Sequence, residues 1–167
     1  MKIRIVRQSI IFGLFWFLSL SSLYANAQTV QEQINDILQQ KEEPAGVVFE
    51  IVTGKNDGLE WALPMARKHI DSLKARFPEL DISIVTHGRE QFALQNQKKQ
   101  GKKKVHSLTQ QLVSEGIPLH VCETHAEWRG VTAEDFPEYI NVAAAGPAQI
   151  NDYVSVGYTL VVIRKPE

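Results

Sequence analysis

The sequence predicts one α/β domain built on a mainly parallel sheet of five strands, with helices on both faces. Two observations carry this. Five short runs, almost wholly apolar and rich in Val and Ile, recur along the chain. Helical patterns alternate with them, giving the order β-α-β-α-β-α-β-α-β. Strands buried on both faces read as continuous apolar runs, and parallel neighbours need helical crossovers between them. No internal repeat is visible.

The elements follow in order. Val30, Ile34, Ile37 and Leu38 recur at helical spacing within 28–43 and predict a short amphipathic lead-in, with Pro44 as its stop. "GVVFEIVT" (46–53) reads as a buried strand whose one charge is Glu50. "GKNDG" (54–58) is a loop, with Asp57 a suitable N-cap for the helix after it. Leu59, Ala62, Leu63, Ala66, Ile70, Leu73 and Phe77 mark one core face of a helix over 58–76, which Pro64 should kink or shift.

"LDISIVTHG" (80–88) reads as the second strand and "REQFALQ" as a short helical piece. "NQKKQGKKK" (96–104) places five lysines in seven positions, from 98 to 104, and reads as a solvated loop rather than an anion-binding patch. A helix over 105–116 stops at Gly116, and "IPLHVC" (117–122) is the third strand. Residues 131–139 hold a helical turn capped by Thr132, and "INVAAA" (140–145) is the fourth strand. The helix over 146–157 opens with Pro147 and closes at Gly157, and "YTLVVI" (158–163) ends the sheet.

The first 27 residues have the layout of a secretory signal peptide: Lys2, Arg4 and Arg7, then an apolar run over 10–20, then Ala25-Asn26-Ala27. The run is shorter than the ~20 residues of a spanning helix, so cleavage near Gln28 and a periplasmic or secreted location are expected, with no membrane attachment afterwards. Those three are the only charged residues among the 27, so the rest carries a net charge of −4 against −1 for the whole chain. That balance gives no support for binding nucleic acid or a membrane surface. Residues 28–45 form the lead-in and 46–167 the α/β domain.

One cysteine, Cys122, occurs in the whole chain. An exported chain with a single thiol cannot bridge it internally. In sheets of this type ligands sit outside the carboxyl ends of the strands. Those ends are Thr53-Gly54, Thr86-His87-Gly88, Cys122-Glu123 and Ala145-Gly146. Cys122 is therefore a candidate nucleophile, against the alternative of a small residue finishing a buried strand. His87 and Gly88 stand at the adjacent edge. His125 lies three residues beyond the thiol and His120 two before it, on the same strand face. Arg129 and Trp128 are candidates for the rim. Each histidine has a structural alternative. A soft metal site made of Cys122, His125 and His87 is a further reading. There is no C-x-x-C-H, Walker loop, G-x-G-x-x-G or G-x-S-x-G in the chain, which leaves haem attachment, nucleotide chemistry and a serine hydrolase unsupported.

Taken together, the Val-rich first strand, "VTHG" at the end of the second, "L-x-x-x-G-I-P-L-H-V-C", and the tail "FPEYINVAAAGPAQINDYVSVGY" resemble the DsrE/DsrF-like family of sulfur-relay proteins over about 46–163. The resemblance implies a flavodoxin-like three-layer sandwich, assembly as homotrimers or homohexamers, and a persulfide-carrying cysteine at the position of Cys122. The function it implies is a sulfur carrier of the sulfurtransferase kind, taking sulfane sulfur from a donor protein or small thiol and passing it to an acceptor, with no cofactor. The alternative is a non-catalytic oligomeric module that binds a metal or small ligand.

Overall fold

In the computed structural model, residues 28–164 are described. The segment read as a signal peptide lies outside them. Five strands, β1 (Val47–Ile51), β2 (Ile82–Thr86), β3 (Leu119–Cys122), β4 (Asn141–Ala143) and β5 (Thr159–Ile163), form one sheet in the order β4-β3-β2-β1-β5. Every neighbouring pair is parallel, so the expected mainly parallel sheet is parallel throughout.

The strand order decides which face each helix covers. From β1 to β4 every crossover steps the same way across the sheet. The last, from β4 to β5, returns past β1 in the opposite direction. Right-handed crossovers therefore place the early helices on one face and the last helix on the other. The helices α2 (Leu59–Arg76) and α3 (Lys103–Ser114) share the first face with α1 (Val30–Leu38), and α5 (Gly146–Ser155) lies alone across β1, β2, β3 and β5. The larger core, including Phe49, Ile51, Leu63, Ile84, Leu94 and Leu112, fills the first interface. The smaller one, Val48, Val85 and Ile150 with Tyr153 and Tyr158 packed against it, lies under α5.

The lead-in helix is part of this architecture. Thr29 and Glu32 cap α1 reciprocally, and Val30, Ile34 and Ile37 are buried. Gln33 reaches the edge strand β5, accepting from the Val162 backbone N–H at 2.9 Å. It thereby satisfies one of the open backbone groups that an edge strand presents.

Several expectations are corrected. The N-cap of α2 is Gly58, not Asp57, and a Cβ on Gly58 would meet Thr53 Oγ1 at 1.9 Å. The helix runs through Pro64 without a break in its span. The lysine run is not simply a loop: Asn96–Lys98 forms a short 3-10 turn, and α3 starts at Lys103. The polar stretch after Cys122 is a further helix, α4 (Glu123–Glu127). No helix among the described residues is long and apolar enough to cross a membrane.

Candidate functional site

The carboxyl ends of β1, β2 and β3 bring the predicted residues to one edge. Along a strand successive side chains alternate between faces. Val48 and Val85 lie under α5, so Glu50 and His87, two residues further on, face the same way. In the β2–β3 register Thr86 stands opposite Val121. The ladder stops there, since the Gly88 N–H turns to Glu90 and both backbone groups of Cys122 go to Gln91; His87, just past β2, and Cys122, the last residue of β3, share the α5 face at one sheet edge.

His87 is held on two sides. Its Nε2 lies 2.8 Å from Glu50 Oε1. A carboxylate only accepts, so Nε2 carries the proton and donates it, which leaves Nδ1 as the ring nitrogen free to take up or release one. On the other side is the first residue of α5. A Cβ on Gly146 would stand 2.4 Å from the His87 Cβ, so only glycine lets the helix approach this closely. Side chains of Glu50 and His87 are 23% and 17% exposed, enough to keep the pair in contact with solvent.

Cys122 is itself fixed through its backbone. Its N–H donates to Gln91 Oε1 at 2.8 Å, and its carbonyl accepts from Gln91 Nε2 at 3.2 Å. Gln91 is fully buried. The thiol is free and the residue 4% exposed. Its position is at the end of β3 and immediately before α4, whose first turn is tied to the fourth strand's exit by Thr124, donating from N and Oγ1 to the Ala144 carbonyl at 3.1 and 2.7 Å.

The loops around this edge are organised by Glu90, a buried carboxylate with no cationic partner among the described residues. It accepts from the N–H groups of Thr53, Gly54 and Gly88 and from the hydroxyls of Thr53 and Thr86, at 2.7–3.2 Å. Five donors satisfy the charge that burial would otherwise penalise. Gly88 is explained here, since a Cβ would stand 2.5 Å from the Glu90 carboxylate. Its role is to admit Glu90.

The other candidates lie along the same edge or beside it. His125, on α4, donates from Nδ1 to the His87 carbonyl at 2.7 Å, which pins α4 to the end of β2. Its ring meets Phe92 edge-on at 5.4 Å and Trp128 at 5.9 Å. His120 shares the α5 face but sits deeper, 2.9 Å from the Tyr153 hydroxyl, and burial pushes its pKa down. Arg129 is exposed and lies over the Phe92 ring at 5.5 Å. The metal reading is not supported by the geometry: no group of three or more His, Cys, Asp or Glu side chains able to hold an ion occurs among the described residues.

Glu50, Glu90 and Gln91 are the residues that sequence reasoning missed. Glu50 carried a signal, as the one charge in an otherwise apolar strand. Gln91 and Glu90 carried none, because a short polar helical piece gives no indication of which side chains turn inward.

The likeness to known proteins matches this architecture. The family model of the DsrE/DsrF-like family matches residues 47–163. No curated protein matches the sequence. Among solved structures, the protein of unknown function MTH1491 from Methanobacterium thermoautotrophicum is 18% identical, with a TM-score of 0.55 over 70% of this chain and 97% of that one. The ychN protein from E. coli is 13% identical, with a TM-score of 0.54 over 73% of this chain and 100% of that one. BT1422 from Bacteroides thetaiotaomicron, also of unknown function, is 18% identical, with a TM-score of 0.51 over 71% and 95%. At these identities the structures share the fold. The family match spans the sheet from β1 to β5, and the chain belongs to the DsrE/DsrF-like family, generally one of sulfur-relay proteins.

Proposed function

We propose that this protein is an exported sulfur carrier that holds sulfane sulfur as a persulfide on Cys122. The thiolate attacks the outer sulfur of a donor persulfide or polysulfide. A bond forms between Cys122 Sγ and that sulfur, the donor's S–S bond breaks, and the donor leaves as a thiolate. An acceptor thiolate then attacks the outer sulfur and Cys122 leaves in turn, so no external oxidant or reductant is needed. His87 takes the thiol proton on Nδ1, and Glu50 holds the ring and stabilises the imidazolium. Donor and acceptor are proteins or small thiols. Assembly as a homotrimer or homohexamer belongs to the same proposal.

The observation that carries this reading is the placing of Cys122 and His87 at the ends of the neighbouring strands β3 and β2, with the His87 imidazole already oriented by Glu50. Incubation with polysulfide should add sulfur to Cys122, reversibly with dithiothreitol, as read by intact mass. Cys122→Ser should abolish the addition. Equal uptake by Cys122→Ser would overturn the proposal.

One observation favours the second reading, a non-catalytic binding module in which Cys122 is packing: the residue is 4% exposed. The two readings differ in the folded protein. A carrier reacts with both polysulfide and iodoacetamide under native conditions, whereas a packed thiol reacts with neither until denaturant is added.

A further inference from the structure

Arg129 and the lysine run converge on a cleft that the chemistry at Cys122 does not use. It has a volume of about 390 Å³ and is lined by Asn56, Phe92, Ala93, Gln95, Lys98, Lys102, Arg129 and Val131. These come from the β1–α2 loop, the two 3-10 turns, the start of α3 and the loop after α4. Cys122 lines neither this cleft nor the larger one of about 470 Å³ beside it, between α2 and the start of α3.

The lining holds three cations and no carboxylate. Lys102 is paired with Glu60. Lys98 and Arg129 take part in no ion pair among the described residues. Gathering cations without a counter-charge costs free energy, and a bound anion removes that cost. Two carboxamides complete the wall. Gln95 is 5% exposed and its side chain hydrogen-bonds no described residue, so its carboxamide is open to a partner at the cleft. Phe92, Ala93 and Val131 form an apolar floor. They give the cleft one side of low polarity, beside which charge-assisted hydrogen bonds are stronger than in open water.

We propose that this cleft binds a dianionic tetrahedral oxyanion group, of the phosphate or sulfate kind. Two unpaired cations match two negative charges. The planar fork of Arg129 suits two oxygens of one such group, and Lys98 supplies a point charge to the third. The volume lies in the range of small-molecule sites and leaves room for an organic body against Phe92. The proposal is independent of sulfur transfer, since none of its residues is Cys122, His87 or Glu50.

The test uses two probes, inorganic phosphate and phenyl phosphate, titrated into the 15N-labelled protein against sodium chloride at matched ionic strength. Saturable shifts are expected at the amides of Asn56, Gln95, Lys98 and Arg129. Tighter binding of phenyl phosphate assigns the group to an organic ester, and equal affinity assigns it to the free ion. The double variant Lys98→Gln with Arg129→Gln should weaken binding roughly tenfold or more, the loss of two charge-assisted bonds. Both side chains are exposed, so the variant folds. Lys104→Gln, outside this cleft, should leave affinity unchanged. Shifts that chloride reproduces, or an unchanged affinity in the double variant, would overturn the proposal. Sulfur loading at Cys122, measured without phosphate, reports separately on the carrier reading.

Discussion

The Gln91 carboxamide pairs with both backbone polar groups of Cys122, accepting from its N–H at 2.8 Å and donating to its carbonyl at 3.2 Å. The pairing imitates a ladder hydrogen-bond pair at the point where β3 ends. A buried side chain thus extends the sheet's order by one step and fixes the residue that would carry sulfur.

Replacing Gln91 with Leu should therefore cost more than the loss of a polar side chain. It keeps the apolar bulk but leaves a buried N–H and carbonyl unpaired, at about 1–3 kcal/mol each where no water reaches them. Urea unfolding should show a fall of about 2–4 kcal/mol. Gln91→Glu sets a buried carboxylate oxygen against the Cys122 carbonyl, so at neutral pH it should be at least as destabilised as Gln91→Leu. Equal stability of all three proteins would mean that water replaces the carboxamide.

Glu90 makes the same argument about charge. All five of its hydrogen bonds come from donors, and it has no room for a donor of its own. In Glu90→Gln an amide NH2 must face some of those N–H and O–H groups. The change is nearly isosteric, yet a loss of about 2–4 kcal/mol is expected from donors left unsatisfied in a buried site. Hydrogen exchange should localise the effect to the Thr53–Gly54 and Gly88 amides. Unchanged protection there would show that these loops are held by other means.

Glu50 and His87 should act as one unit on Cys122. Glu50 orients the ring, so removing either residue disables the same function. Glu50→Gln and His87→Ala should each slow sulfur loading, and the double variant should be no slower than His87→Ala alone. Additive losses would separate the two residues. Cys122→Ser should leave thermal stability near that of wild type, because serine nearly preserves the volume.

How much of this was legible in the sequence follows from where each signal lies. The alternation of apolar strands with helices fixed the parallel sheet, because burial on both faces leaves a pattern that one chain displays by itself. The edge residues His87 and Cys122 were legible for the same reason, as the polar ends of apolar runs. Gln91 and Glu90 were not, since their partners are backbone groups up to 37 residues away. Glu123–Glu127 was not, because a five-residue helix is too short for a periodicity to emerge. Lys98 and Arg129 meet in one cleft only through the turns that join β2 to α3 and α4 to β4, and turn geometry is what spacing in a sequence leaves out.

The buried histidines set the response to acid. Burial pushes the pKa values of His69, His106 and His120 down, in each case as the largest influence. His106 shows why. Its Nε2 donates to the Ala93 carbonyl at 3.1 Å and its Nδ1 accepts from the Tyr139 hydroxyl at 2.9 Å, so the neutral ring is fully satisfied. In the unfolded chain these side chains titrate near pH 6.5. Between that value and their lower folded values, the unfolded state binds more protons. Stability therefore rises with pH across that window, is complete above about pH 7, and is lost as the pH falls from about 6.5. Glu32, Glu115 and Glu134, held low by hydrogen bonds at the surface, add a loss of the same sign only at more acidic pH. Urea midpoints measured from pH 8 to pH 5 should decline below about pH 6.5. In His106→Gln, whose amide can still donate to Ala93, the decline should be shallower although the midpoint at pH 8 is lower. A midpoint that holds level or rises from pH 7 to pH 5 would show that these rings titrate as they do in the unfolded chain.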